Sequence, residues 1–105
     1  MSGRLTTHVL DIVAGRPAAG VQVELRDPDA VIATVVTDAD GRAVVLESGL
    51  RAGLYELRFA VGAYFDQDPP FLDVVPVRFN VADAGAHHHV PLLCSPWSYT
   101  TYRGS

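Results

Sequence analysis

The sequence contains no lysine, one cysteine, one methionine and one tryptophan, and no apolar run approaches the roughly 18 residues of a membrane span. Without lysine there is no Schiff-base mechanism and no phosphate-binding P-loop. Cys94 has no partner for an internal disulfide, which excludes a secreted disulfide scaffold and points to a reducing, cytoplasmic compartment. The eight basic residues are all arginines spread singly, and the net charge is −4, so no basic patch is offered to nucleic acid or to an anionic membrane surface. Met1-Ser2-Gly3-Arg4 lacks the apolar stretch of a signal peptide. The 105 residues suit a single domain over 1–105, with one core and a size at which association helps.

What is present is a succession of short alternating segments punctuated by Gly, Pro and Asp. Leu5 to Val13 alternates, with Thr7, Val9 and Asp11 on one face and Thr6, His8, Leu10 and Ile12 on the other. The Ala14–Gly20 turn cluster leads into Val21–Leu25, and Asp27-Pro28-Asp29 breaks the chain again. Val31–Thr37 is a β-branched run suited to a sandwich interior, and Asp38-Ala39-Asp40-Gly41 reads as a tight hairpin that returns through Arg42 into Ala43–Leu46. Glu47–Gly53 reads as a loop, and Leu54–Val61 as a strand with Tyr55, Leu57 and Phe59 in phase. A single helical turn fits around Ala63–Asp66, since Pro69-Pro70 stops anything longer. Strand pattern resumes over Asp73–Val81, over His87–Cys94, and again after the Ser95-Pro96 corner. About eight strands at this spacing, with at most one short helix, predict an all-β antiparallel sandwich.

Four groups of residues carry potential chemistry. His8 lies in a strand and reads either as a structural histidine or as a functional one. His87-His88-His89 puts positions 87 and 89 on one face and 88 on the other, so the triplet is not by itself a metal clip. Two same-face histidines joined by His8 would make a zinc site only if the strands meet. Arg42 stands just past a turn, where an arginine is ordinarily solvated. The terminus Tyr102-Arg103-Gly104-Ser105 reads either as a frayed tail or as a fixed end, and if it is fixed, Gly104 requires that something outside the strand hold it.

These groups are the ones that carry a resemblance. Leu5 to Asp11 (L-T-T-H-V-L-D), Gly41-Arg42, His87 to Leu93 (H-x-H-V-P-L-L) and the ending S-P-x-S-Y-T-T-Y-R-G-S resemble the motifs of the 5-hydroxyisourate hydrolases, the enzymatic branch of the transthyretin superfamily. The motifs come in order and span the chain. His88, Cys94 and Trp97 depart from commoner residues, and 62–74 is short for the helix-bearing connection of the family. The resemblance implies a transthyretin-like (prealbumin-like) fold with catalytic positions at His8, Arg42 and His89. It implies substrate contacts at Tyr102, Arg103 and Ser105, no cofactor and no metal. The implied reaction opens the ring of 5-hydroxyisourate to 2-oxo-4-hydroxy-4-carboxy-5-ureidoimidazoline in urate degradation. The implied assembly is a homotetramer with active sites at the dimer–dimer interface.

Phase gives an independent expectation. Once Val9, Val90 and Leu92 are assigned to the core, His8, His89 and Tyr102 fall on the outer face with Leu10, Pro91 and Leu93, an apolar surface to be covered by a partner subunit. Cys94 points inward by the same count and is no nucleophile. Two other readings stand beside the hydrolase: a small-ligand carrier of the same fold, and an accessory β-module, which Gly15-Arg16-Pro17-Ala18-Ala19-Gly20-Val21 resembles.

Overall fold

The computed structural model describes residues 3–104. Alternation decides the first strand, β1 (Gly3–Asp11): Leu5, Thr7, Val9 and Asp11 are buried while Arg4, Thr6, His8 and Leu10 face outward. The chain continues through β2 (Arg16–Pro17), β3 (Gln22–Arg26), β4 (Val31–Val36), β5 (Arg42–Leu50), β6 (Gly53–Ala60), a helix α1 (Val61–Phe65), β7 (Val74–Val81), β8 (His88–His89), β9 (Leu92–Cys94) and β10 (Tyr99–Thr101). The expected all-β sandwich with one short helix is what forms. Two of the ten strands, β2 and β8, are only two residues long.

Two sheets make the sandwich. One has six strands gathered around β1, with β10, β9, β1 and β2 in order and β5 and β8 also pairing β1; the other has four, in the order β4, β3, β6, β7. β1 runs parallel to β8 and β9, so the first sheet is mixed where an antiparallel one was expected. Between the sheets lie Leu5, Val9, Val23, Leu25, Leu57, Phe59, Val75, Leu92 and Cys94, all essentially inaccessible. Each fully buried aliphatic or aromatic side chain contributes about 1.5–3 kcal/mol by leaving water. The buried Thr7 hydroxyl donates to the Val90 carbonyl at 2.7 Å, which ties β1 to the segment after β8.

Several local expectations are corrected. β4 is an edge strand that pairs only with β3, so its β-branched residues are not interior: Val31 is 46% and Val36 59% exposed, and only Ala33 and Val35 turn toward the core. The turn at Asp38–Gly41 is no hairpin, because β4 and β5 belong to different sheets and the turn carries the chain from one to the other. Glu47–Leu50 is strand, part of a nine-residue β5 paired along β1. Pro91 is buried, Leu10 and Leu93 are half-buried, and Tyr102, expected on the outer face beside them, is exposed in a hollow next to Val77 and Phe79. α1 closes at Asp66, which adopts a left-handed conformation with φ 54° and donates its N–H to the Gly62 carbonyl. Among the described residues, no helix is long and apolar enough to cross a membrane.

Candidate active site

The outer face of β1 sets the site. Antiparallel pairing with β5 puts Arg42 opposite His8, and parallel pairing with β8 puts His89 opposite Thr6. Directly opposed side chains on one sheet face stand about 5 Å apart at Cβ. Residues distant in sequence therefore meet on one surface. They line an open depression of about 500 Å³ with His87, Arg4 and Asp38 at its sides.

Arg42 is held by its backbone. The Asp38 carboxylate accepts from the N–H of Arg42 at 3.0 Å and of Asp40 at 2.9 Å, while the Asp38 N–H donates to the Arg42 carbonyl at 2.9 Å. Gly41 makes the corner possible, with φ 72° and its carbonyl accepting from the Val9 N–H at 2.8 Å. A β-carbon at Gly41 would lie 2.5 Å from the Val9 carbonyl oxygen, so no other residue fits without movement.

His89 is half-buried and its pKa is lowered, first by burial and then by the positive charge of His87, His8 and Arg42 around it. A neutral imidazole at neutral pH is the form that can accept a proton. Thr6 Oγ1 sits 2.8 Å from His89 Nδ1 and 2.7 Å from His87 Nε2. His88, on the opposite face, is buried with its Nδ1 3.1 Å from the Ala86 carbonyl, and takes no part in this surface.

The tail is fixed rather than frayed. β10 pairs antiparallel with β9, the Thr101 hydroxyl donates to the Pro91 carbonyl at 2.8 Å, and Gly104 forms a bridge to His89 with its N–H on the His89 carbonyl at 2.7 Å. Tyr102 and Arg103 lie along a second depression of about 320 Å³ beside Val77, Phe79, His88 and Val90. Of the terminal residues, then, Gly104 touches the His89 side, while Tyr102 and Arg103 line a different hollow of the same protomer. Ser105 lies outside the described residues.

Cys94 is fully buried, and burial, with a smaller contribution from Asp11, pushes its thiol up to about 11, so it supplies no thiolate. Among the described residues no group of three or more His, Cys, Asp or Glu side chains is arranged to hold a metal ion. Sequence gives no role to Thr6 and names His87 only as a conditional zinc ligand with His89 and His8. Their signal was phase, since Thr6 lies two residues from His8 and His87 two from His89, but the contact between them spans 81 positions.

Comparison with known proteins follows the same lines. The model of the HIUase/Transthyretin family matches residues 5–104. A protein of Ralstonia nicotianae named 5-hydroxyisourate hydrolase is 56% identical, with 98% of this chain and 99% of that protein covered. The structure of Klebsiella pneumoniae 5-hydroxyisourate hydrolase superposes with a TM-score of 0.87 at 37% identity, covering 97% of this chain and 99% of that one. Sea bream transthyretin in complex with thyroxine superposes with a TM-score of 0.83 at 35% identity, covering 95% and 93%.

Proposed function

The chain belongs to the HIUase/Transthyretin family as a hydrolase of 5-hydroxyisourate, and on that premise we propose that His8, Arg42 and His89 carry out the ring opening. The observation that supports this assignment is the meeting of two imidazoles and one guanidinium on the outer face of β1 at a hollow of about 500 Å³, within the usual size of a small-molecule site.

Hydrolysis of a cyclic amide forms a bond from water oxygen to the carbonyl carbon and breaks the carbon–nitrogen bond of the ring. The proton leaving the water goes to a neutral histidine and returns to the departing nitrogen, so no proton is consumed. His89, with its lowered pKa, is held in the neutral form this step needs. His8 lies within the same hollow to hold the water. Arg42 offsets the negative charge that develops on the carbonyl oxygen, an effect on the order of 3 kcal/mol for a well-placed donor. The product is the ureidoimidazoline acid. No covalent nucleophile or cofactor enters the scheme.

The hollow is open on its outer side, and the paired Leu10 and Leu93 leave half-buried apolar side chains farther along β1 and β9. A homotetramer that covers this face at a dimer–dimer interface would shield the site from bulk solvent while leaving the one attacking water, and would bring Tyr102, Arg103 and Ser105 of neighbouring subunits within reach of the substrate. A cytoplasmic location fits the single buried thiol.

The test is the ultraviolet decay of 5-hydroxyisourate, generated from urate by urate oxidase, with and without the protein and its His89→Ala variant. Acceleration by the wild type that is lost in the variant supports the assignment. Retention of full acceleration by a folded His89→Ala protein removes His89 from the chemistry.

A further inference from the structure

We propose that Thr6 is a positioning residue for this site: its hydroxyl accepts a hydrogen bond from Nδ1–H of His89 while donating its own proton to Nε2 of His87. That arrangement keeps the Nε2 lone pair of His89 free to face the hollow. The proposal rests on the reading of His89 as a base, and extends the site to two residues with no role so far.

A threonine hydroxyl has one proton to give and two lone pairs with which to accept. With one ring nitrogen at 2.8 Å and the other at 2.7 Å, Thr6 donates to at most one histidine and accepts from at least one other. Three orders are open: Thr6 accepts from His89 and donates to His87, it donates to His89 and accepts from His87, or it accepts from both, and the last shares the His89 tautomer of the first. In the first, His89 carries its proton on Nδ1 and is a base at Nε2. In the second, Thr6 donates to His89 Nδ1, and the proton of that ring sits on Nε2, where it blocks attack by the base.

The role proposed for His89 requires the first tautomer. A base at Nε2 must carry its ring proton on Nδ1, and the oxygen placed to receive that proton is Thr6 Oγ1, 2.8 Å away. The ring is not free to turn over and avoid the choice. Its Cδ2 edge is packed against Gly104, where a β-carbon would come within 2.5 Å, and its Nδ1 edge is against Thr6. Thr6 is itself anchored: it pairs with His89 across β1 and β8, its carbonyl accepts from the Val90 N–H at 3.0 Å, and its branched Cβ restricts χ1. His87 is exposed, so the far end of this chain of hydrogen bonds opens to water. The charged groups that face His89 are His8 from β1, Arg42 from β5 and His87 from the segment before β8, with Arg4 and Asp38 farther along the hollow.

The experiment uses the full-length protein labelled with nitrogen-15 in histidine, without substrate, at a pH where the imidazoles are neutral. The wild type is expected to show His89 protonated at Nδ1 and bare at Nε2, and Thr6→Val to show a mixture of tautomers. In turnover, Thr6→Val is expected to lower kcat about tenfold or more, the scale for partners that fix the tautomer of a working histidine. KM should stay within about twofold, and Thr6→Ser should restore kcat. A wild-type His89 protonated at Nε2 overturns the proposal, as does an unchanged kcat in Thr6→Val. Should Thr6→Val fail to fold, the wild-type spectrum and the kcat of Thr6→Ser decide. The tautomer is read without substrate, so a wild-type protein that fails to accelerate 5-hydroxyisourate decay refutes the hydrolytic reading while leaving the spectroscopic result to judge Thr6.

Discussion

Gly104 and His89 are locked together twice: the Gly104 N–H donates to the His89 carbonyl at 2.7 Å, and the Gly104 Cα lies so close to the ring that a β-carbon would stand 2.5 Å from Cδ2. The last turn of the chain thus sets the orientation of a histidine in the hollow. Gly104→Ala is expected to displace either the ring or the tail, since one of them must move. Gly104 joins the sheet through one isolated bridge outside the named strands, so the melting temperature should hold while kcat falls about tenfold or more. Paired thermal melts and steady-state kinetics check this; an unchanged kcat would mean that the tail yields without disturbing the ring.

Replacement of His8, Arg42 or His89 by alanine is expected to lower kcat/KM by about a hundredfold or more in each case, the scale for a lost proton acceptor or charge-stabilising donor. None of the three is in the core, so cooperative unfolding should be preserved. The effects should also fall well short of additive, because groups that act on one water and one oxyanion act as a unit. A double His8→Ala, His89→Ala variant little worse than either single one is the outcome that marks joint action.

The lowered pKa of His89 has a sign that can be worked out. Burial, then the charges of His87, His8 and Arg42, disfavour its protonated form, so the base stays available below the ordinary histidine value of about 6.5. The acid limb of kcat/KM should therefore lie below that value. Arg42→Ala removes one of the positive charges and should move the limb upward even as it lowers the plateau. Stability follows the same sign: the unfolded chain binds the His89 proton first, so this contribution is present above about 6.5 and declines as pH falls through the interval down to the folded value. A pH–rate profile of both proteins checks the direction, and an acid limb above 6.5 in the wild type would contradict it.

The alternation of β1 was enough to separate the Thr7, Val9 and Asp11 face from the Thr6, His8 and Leu10 face, and the same count put His88 inside and His89 outside. Those are local facts of a period-two chain. What local pattern does not contain is which strand lies beside which. The β-branched run of β4 reads as interior, but it is an edge because, among the described residues, nothing pairs on its far side, and side-chain type alone does not distinguish the two. Asp38–Gly41 has hairpin chemistry and was used instead to change sheets. The parallel approach of β8 to β1, which joins Thr6 to His87 and His89, closes a loop of more than 80 residues and left no trace at the level of neighbours. Tyr102 had the right phase for the outer surface but lies beside β7 in the protomer, and its expected place near substrate belongs to the assembly proposed above.

Gly41 joins the two sides of the molecule, fold and site, in one residue. Its φ of 72° is a conformation that costs a residue with a side chain about 1–2 kcal/mol, and a β-carbon there would collide with the Val9 carbonyl, which is backbone and has no freedom to rotate away. Gly41→Ala therefore has to push the corner off β1 and strain the 2.8 Å hydrogen bond from the Val9 N–H to the Gly41 carbonyl. Asp38→Ala leaves φ untouched and removes only the carboxylate that receives the N–H groups of Asp40 and Arg42. Gly41→Ala is expected to lose roughly 2 kcal/mol or more of stability together with activity, because both the strand contact and the Arg42 backbone move. Asp38→Ala should lose about 1 kcal/mol or less, as its hydrogen bonds are exposed, while lowering kcat through the loosened Arg42. Denaturant unfolding and kinetics on the two variants separate these effects. A Gly41→Ala protein of unchanged stability would show that the corner has room that its contacts with Val9, Pro17 and Ala18 deny.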